Sequence, residues 1–173
     1  MKDTDPGLVH LYWGKGKGKT TAAMGLALRA LGHGRRVTIL QFLKDGTSGE
    51  IASLIRLGAV VYAGKPEPGF ASCLPESAQS RVRERQNRLL HRAVESDCQL
   101  LILDEACAAD QLNLVDRELL KEAVLKKPED REVVLTGMNP AGWMTEAADY
   151  CTEMHCCRHP YQRGIRAREG IEL

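Results

Sequence analysis

The most constraining feature of this sequence is an apolar run followed by a loop of glycines and lysines and then by a helical pattern. Residues 8–13 predict a β-strand, and residues 14–21 read Gly-Lys-Gly-Lys-Gly-Lys-Thr-Thr. Between residues 19 and 31, apolar side chains recur at the spacing of a helix with one buried face. A strand, a glycine-rich loop and a helix in this order are the context that a phosphate-binding loop requires.

We interpret residues 14–21, called the Gly/Lys loop below, as a binding site for nucleotide phosphates. Glycines let backbone N–H groups converge on phosphate oxygens, and the helix N-terminus adds a partial positive charge. Lys19 is expected to contact the outer phosphates, and the Thr20 hydroxyl can ligate Mg²⁺ or Mn²⁺. The predicted nucleotide-binding residues of the loop are Gly14, Lys15, Gly16, Lys17, Gly18, Lys19, Thr20 and Thr21.

The Gly/Lys loop is one residue shorter than the usual pattern G-x-x-x-x-G-K-T. That pattern needs a glycine five positions before Gly18, where this chain has Trp13. Two alternatives stay open from the residues alone. The loop could be a turn without a ligand, and Lys15 and Lys17 could be solvated instead of bound to phosphate.

A second signal is the apolar run at residues 100–103, which ends in Asp104 and Glu105. It predicts a buried strand that brings two carboxylates to its carboxyl end, beside the Gly/Lys loop. There they can hold Mg²⁺ directly or through its water ligands. Thr20, Glu105 and Asp104 are the predicted metal site, with Glu105 preferred as the direct ligand. The alternative is a strand that simply ends in solvent.

The rest of the chain also alternates between apolar strand patterns and helical patterns. Further strands are predicted at residues 37–42, 59–63, 133–135 and 150–154, and further helices at 49–57, 75–95 and 116–126. Apolar strands that alternate with helices predict a parallel sheet covered on both faces. We expect one α/β domain over residues 1–173, with a mostly parallel sheet of five to six strands and a P-loop NTPase-like (RecA-like) architecture. The loop at residues 64–75 is expected to be a lid, a binding loop or a plain connection.

Composition argues against several functions. Lysine and arginine number 24 and aspartate and glutamate 23, so the net charge of +1 does not favour nucleic acid or an anionic membrane as a partner. The apolar runs are shorter than the ~18 residues that a membrane span needs, and the N-terminus lacks the pattern of a secretory signal. The six cysteines are interpreted as reduced, small apolar residues. These features predict a cytoplasmic protein.

The chain resembles the ATP:corrinoid adenosyltransferases of the CobA/CobO/BtuR type over nearly all of residues 9–173. The resemblance rests on the Gly/Lys loop, on Gly32-His33-Gly34, Gln41-Phe42 and Leu103-Asp104-Glu105, and above all on the C-terminal third. The motifs of that third are Leu135-Thr136-Gly137, Ala147-Ala148-Asp149, Thr152-Glu153-Met154, His159-Pro160-Tyr161 and Gly164-Ile165-x-Ala167-x-x-Gly170-Ile171-Glu172.

This resemblance implies that ATP and a reduced corrinoid, cob(I)alamin or cob(I)yrinic acid a,c-diamide, are the substrates. The cobalt attacks the 5′ carbon of the ribose, and triphosphate leaves. The resemblance assigns the triphosphate to residues 14–20 and the metal to Thr20 and Glu105. It also implies a separate flavoprotein as electron donor, and a homodimer.

Two more positions take roles from the resemblance. Phe70 is expected to help displace the lower ligand of cobalt, and it joins Lys19 and Thr20 as a predicted catalytic residue. Ser72 stands where the family pattern has a second aromatic residue. His159 is expected to help form the nucleotide pocket.

Other interpretations remain available. A P-loop nucleoside kinase would share the architecture and release ADP, although the Cys-x-x-Cys segment common in type II thymidine kinases is absent. A nucleotide-dependent binding module would hold ATP without transferring any group. The cluster of Cys151, His155, Cys156, Cys157 and His159 could hold zinc, but packing is the preferred interpretation.

Overall fold

Six short strands form one parallel sheet in the computed structural model, which describes residues 6–64 and 75–171. They are β1 (Val9–Trp13), β2 (Val37–Gln41), β3 (Val60–Ala63), β4 (Leu100–Asp104), β5 (Glu132–Gly137) and β6 (Tyr150–Glu153). Their spatial order is β3-β2-β4-β5-β1-β6, and every pairing is parallel. The predicted α/β architecture is confirmed, with six strands.

Helices connect these strands. They are α1 (Lys19–Gly32), α2 (Gly49–Arg56), α3 (Glu76–Glu95), α4 (Ala106–Gln111), α5 (Arg117–Leu125) and α6 (Gly142–Ala147), followed by a 3₁₀ turn (Pro160–Arg163). Helices α4 and α6 have six residues each, too few for a periodic apolar pattern, and sequence analysis missed them. Among the described helices, none combines the length and apolar character that a membrane crossing demands.

The core lies on both faces of the sheet because successive strand residues point in opposite directions. In β4, Leu101 and Leu103 pack with residues of α3, α4 and α5, whereas Leu100 and Ile102 pack with α1 and α2. All five residues of β4 are buried. A strand with no solvent-facing side explains the continuous apolar run that the sequence shows at this point.

The sheet order determines where the polar ends of the strands meet. All strands are parallel, so the carboxyl ends of β1, β2, β4 and β5 lie at one edge. β5 separates β1 from β4, and the register places Trp13 beside Gly137 and Leu103 beside Leu135. The Gly/Lys loop after β1 and the carboxylates at the end of β4 therefore share an edge without lying on adjacent strands.

Close packing at this edge requires a glycine in β5. Gly137 has φ +154, and a Cβ built there would lie 2.3 Å from the Cβ of Cys107 in α4. A side chain at position 137 would therefore push α4 away from the sheet. Glycine lets the helix that follows the carboxylates pack directly on β5.

We predict that Asp116→Ala lowers the free energy of unfolding by about 1 kcal/mol at pH 7, because Asp116 is the N-cap of α5. Its carboxylate accepts hydrogen bonds from the backbone N–H groups of Glu118 (2.9 Å) and Leu119 (3.1 Å). Urea denaturation measures the loss. Asp116→Asn, which keeps a capping oxygen, should stay within a few tenths of a kcal/mol of the wild type.

The same cap should depend on pH. Hydrogen bonds from Leu119 and Glu118 and the charge of Arg83 lower the pKa of Asp116 below its usual 3.8. A lowered pKa means that the ionised cap contributes stability above pH 3.8, and that this part is lost as pH falls through the folded-state value. The difference between wild type and Asp116→Asn should change only in that acidic range. A change near neutral pH would contradict the assignment.

Candidate functional site

The Gly/Lys loop leaves β1 through a left-handed glycine and enters α1 through another. Gly14 has φ +108 and Gly18 has φ +116, a region that side chains rarely adopt. The Gly14 N–H lies 3.2 Å from the carbonyl of Gly137, at the end of β5. The loop is thus attached to the sheet at its start, its Gly18 is the N-cap of α1, and residues 19–21 lie in the first turn of that helix.

The chain that follows β6 packs against the middle of this loop. The Gly16 N–H donates to the carbonyl of Met154 at 2.6 Å, and the Met154 N–H donates to the carbonyl of Trp13 at 2.7 Å. A Cβ at Gly16 would lie 2.7 Å from the carbonyl carbon of Met154, and one at Gly14 would lie 2.6 Å from its oxygen. Both glycines are therefore needed for backbone-to-backbone packing of the loop against this segment.

The three lysines of the loop have different environments. Lys19 is half-buried, and its Nζ donates to the carbonyl of Gly16 at 2.8 Å, so the ammonium lies across the loop. Lys17 is exposed and donates to the carbonyl of Ile171 at 3.3 Å. Lys15 and Thr21 are exposed. The geometry gives Lys19 the most defined position, and the alternative of solvation stays open for Lys15 and Lys17.

A buried carboxylate forms the centre of the site. Asp104 is 0% exposed and accepts four hydrogen bonds. Its Oδ1 accepts from Thr20 Oγ1 at 2.8 Å and from Thr136 Oγ1 at 2.7 Å. Its Oδ2 accepts from Gln41 Nε2 at 3.1 Å and from Lys44 Nζ at 2.7 Å. One side chain thus connects the first turn of α1 with β2, β5 and the loop after β2.

Glu105 differs from Asp104 in backbone conformation, in exposure and in hydrogen bonding. Its backbone is left-handed, with φ 62, and its N–H donates to Thr136 Oγ1 at 2.9 Å. Its side chain is 29% exposed. Burial raises the pKa of Glu105, and the Lys44 charge opposes that shift. Among the described residues no hydrogen bond to the Glu105 carboxylate is present. Its oxygens are therefore available to coordinate a ligand, whereas those of Asp104 already accept hydrogen bonds.

Three residues that contact Asp104 were not predicted from the sequence: Gln41, Lys44 and Thr136. Gln41 and Thr136 belong to motifs of the family resemblance, but no role was derived for either. Lys44 lies in the loop after β2, and its Nζ is 2.7 Å from Asp104 Oδ2, 3.4 Å from Thr20 Oγ1 and 3.9 Å from Glu105 Oε1. The alternation of strands and helices predicts that the carboxyl ends meet, but it does not predict which loop lysine points inward.

These residues fit a divalent cation. The hydroxyl of Thr20 and the carboxylates of Asp104 and Glu105 are the hard oxygen ligands that Mg²⁺ takes in proteins. The ammonium of Lys44 already lies among these three groups, which shows that the arrangement attracts a cation. Glu105 and Thr20 have the free coordinating capacity, whereas Asp104 orients the Thr20 hydroxyl.

The C-terminal segment forms a cavity of about 650 Å³ beside the Gly/Lys loop. Its lining includes Lys17, His155, His159, Tyr161 and Arg166. His159 is exposed, and its Nδ1 accepts a hydrogen bond from the Tyr161 N–H at 3.2 Å. The predicted nucleotide-pocket residue therefore lines the same cavity as a lysine of the loop.

The interpretation of the cysteines as small apolar residues holds for two of the five described ones, and Cys73 lies outside the described residues. Cys98 and Cys107 are buried free thiols in the core, and burial raises the pKa of Cys107 to about 12. Cys151, Cys156 and Cys157 are exposed free thiols, so they are not small core residues. In residues 6–64 and 75–171, no group of three or more His, Cys, Asp or Glu side chains is arranged to hold a metal ion.

Two predicted positions lie outside the described residues. Phe70 and Ser72 belong to residues 65–74, as does most of the loop expected to be a lid, a binding loop or a connection. The role of Phe70 at the lower face of cobalt stays a prediction from the sequence.

The fold and the site together define a P-loop-like α/β protein. A sequence model of the family "ATP:corrinoid adenosyltransferase BtuR/CobO/CobP" matches residues 5–173. The chain belongs to this family of transferases.

Curated relatives agree with this assignment. The chain is 30% identical to the corrinoid adenosyltransferase of Pseudomonas aeruginosa over 96% of its own length and 84% of that protein. It is 31% identical to that of a Sinorhizobium species, covering 99% and 83% of the two chains, and 29% identical to that of Escherichia coli K12, covering 96% and 85%. The similarity to a solved Xyl-CE4 domain of a xylanase from the hindgut metagenome of Trinervitermes trinervoides is weak, with a TM-score of 0.29 and 10% identity over 94% and 93% of the chains.

We predict that Gly16→Ala lowers the free energy of unfolding by about 1–3 kcal/mol and weakens ATP binding, because its Cβ would overlap the backbone of Met154. Thermal unfolding and calorimetric titration with ATP measure the two effects. Gly25→Ala is the matched control. Position 25 lies in α1 with nothing within 4 Å of a Cβ, so this change should stabilise by about 0.5–1 kcal/mol. Equal behaviour of the two variants would contradict close packing at Gly16.

Proposed function

We propose that this protein transfers the 5′-deoxyadenosyl group of ATP to the cobalt of a reduced corrinoid and releases triphosphate. The electron pair of cobalt(I) forms a bond to C5′ of the ribose, and the bond between C5′ and its oxygen breaks. The pair from that bond leaves on triphosphate, and cobalt is formally oxidised to cobalt(III). The family match over residues 5–173 is the observation that selects this activity, since a phosphate loop alone suits many reactions.

The charge distribution of the loop supports this reaction. The leaving group carries all three phosphoryl groups, so its negative charge is largest as it departs. The Lys19 ammonium lies across the Gly/Lys loop at the N-terminus of α1, and both would stabilise that charge. Lys15 and Lys17 add positive charge at the rim. The nucleophile has no proton to lose, so no general base is required.

Thr20 and Glu105 are the residues that we propose hold Mg²⁺ or Mn²⁺. A bound divalent ion would neutralise part of the triphosphate charge. Asp104 acts on this pair indirectly, because its hydrogen bond to Thr20 fixes the orientation of the hydroxyl. The different roles of the two carboxylates follow from their burial. Asp104 is buried and already accepts four hydrogen bonds, while Glu105 is partly exposed and can reach a metal ion.

Several parts of the proposal rest on the family resemblance. They are cob(I)alamin or cob(I)yrinic acid a,c-diamide as acceptor, the role of Phe70 at the lower face of cobalt, a flavoprotein reductant, a homodimer and a cytoplasmic location. The cavity of about 650 Å³ at Lys17 and His159 supports placement of part of the nucleotide against the C-terminal segment.

An anaerobic assay with ATP, Mg²⁺ and chemically reduced cobalamin tests the proposal. We expect the visible spectrum of an adenosylated corrinoid and one equivalent of triphosphate. Release of ADP in the presence of a nucleoside would instead indicate a kinase. ATP binding with unchanged cobalamin and unchanged cobyrinic acid diamide would indicate a binding module and would overturn the proposal.

We predict that Lys19→Ala lowers kcat/KM by about 10²–10³-fold, because a positively charged donor to the leaving group is removed. The loss should appear with little change in thermal stability, since the Lys19 ammonium contacts only a loop carbonyl among the described residues. Lys126→Ala, which removes an exposed lysine paired with Glu122, serves as the control and should retain wild-type activity. Activity near wild type in Lys19→Ala would contradict the assigned role.

We predict different effects from the two carboxylates. Glu105→Gln should raise the Mg²⁺ concentration for half-maximal activity by about 10-fold or more, with little change in stability. Asp104→Asn should lower the free energy of unfolding by about 1–3 kcal/mol, because donors to a buried carboxylate lose their partner. Magnesium titrations of activity and urea denaturation of both variants measure this. The opposite pattern would identify Asp104 as the direct ligand.

A further inference from the structure

We propose that Lys44 is the resident cation of the metal-free site, that the divalent ion displaces it, and that the displaced ammonium then binds the triphosphate. This inference rests on the proposed function, because it assumes that Mg²⁺ and ATP occupy this site. It assigns a role to a residue that sequence analysis did not select.

The geometry places the ammonium where a metal ion is expected. Lys44 Nζ is 2.7 Å from Asp104 Oδ2, 3.4 Å from Thr20 Oγ1 and 3.9 Å from Glu105 Oε1. These three side chains form the predicted metal site. An ammonium and a divalent ion cannot share one site, because their charges repel at this distance. Entry of the metal therefore requires that Lys44 leave.

The charge of Lys44 is needed while the metal is absent. Asp104 is 0% exposed, and a buried carboxylate is costly unless an opposite charge compensates it. Its other three donors, Thr20, Thr136 and Gln41, are neutral. In the part of the chain that the structure describes, Lys44 is the only residue that forms an ion pair with Asp104.

The position of Lys44 allows it to move. It lies in the loop between β2 and α2, three residues beyond the end of β2, and its side chain is 29% exposed. A lysine has a flexible four-carbon stem and three donors, so its ammonium can turn towards solvent without a backbone change. The solvent-facing side of this site is where the triphosphate would lie. The displaced ammonium would therefore add positive charge to the loop only once the metal is bound.

Metal binding without nucleotide tests the exchange. Mn²⁺ alone is titrated into wild type and Lys44→Met, and bound Mn²⁺ is measured by electron paramagnetic resonance. In Lys44→Met the ion meets no competing ammonium, so we expect its dissociation constant to fall by about 10-fold or more. The metal-free variant should also unfold at a lower temperature than wild type, and Mn²⁺ should raise that temperature more than it does in wild type.

Two control variants make the result specific. Lys44→Arg keeps the positive charge, so its Mn²⁺ dissociation constant should equal that of the wild type. Lys126→Met removes an exposed lysine far from the site in the chain and should change neither Mn²⁺ affinity nor the melting temperature. An unchanged Mn²⁺ dissociation constant in Lys44→Met, or an equal fall of that constant in Lys126→Met, would overturn the exchange.

Calorimetric titration with ATP at saturating Mg²⁺ tests the second half of the inference. We expect Lys44→Met to bind ATP about 10-fold more weakly than wild type, because a charged donor to phosphate is lost. ATP affinity equal to wild type would overturn the phosphate contact. Failure of the wild type itself to bind ATP with Mg²⁺ would overturn the proposed function, and the Mn²⁺ titration would still decide whether Lys44 competes with the metal.

Discussion

The buried carboxylate of Asp104 is the interaction on which the rest of the site depends. Its four hydrogen bonds come from Thr20, Gln41, Lys44 and Thr136, which belong to four different segments of the chain. A charge with no exposure must be neutralised and fully hydrogen-bonded, so these segments are held in one arrangement. The start of α1, and with it the Gly/Lys loop, is thereby attached to the middle of the sheet. The position of the Gly/Lys loop follows from electrostatics in the interior as much as from its own glycines.

A second constraint comes from the edge of the sheet. The chain beyond β6 pairs with the Gly/Lys loop through Met154, and the same segment continues into the cavity that contains His159. The C-terminal third, on which the family resemblance chiefly rests, therefore packs against the Gly/Lys loop. Met154 links this segment to Gly16 of the loop by one backbone hydrogen bond and to Trp13, the last residue of β1, by another.

The sequence predicted the architecture well, because buried parallel strands and long amphipathic helices leave strong patterns. Helix α1, expected at residues 19–31, is Lys19–Gly32, and β4, expected at residues 100–103, is Leu100–Asp104. The short helices α4 and α6 were missed because one and a half turns show no period. Lys44 was missed for a different reason: its contact with Asp104 joins residues 60 positions apart. Such contacts depend on strand order, and the alternation of strands and helices leaves several orders open.

The contact between Gly137 and Cys107 has an evolutionary consequence. Because a Cβ at position 137 would overlap the Cys107 side chain, position 137 cannot gain a side chain independently of position 107. A side chain at 137 would need a smaller residue at 107 or a movement of α4 away from β5, and β5 also carries Thr136, which donates to Asp104. Substitutions at 107 and 137 should therefore be correlated among relatives, with at least one of the two residues kept small. The sequence variation at this pair would be limited by the need to keep Thr136 in contact with Asp104, a carboxylate that neither residue touches.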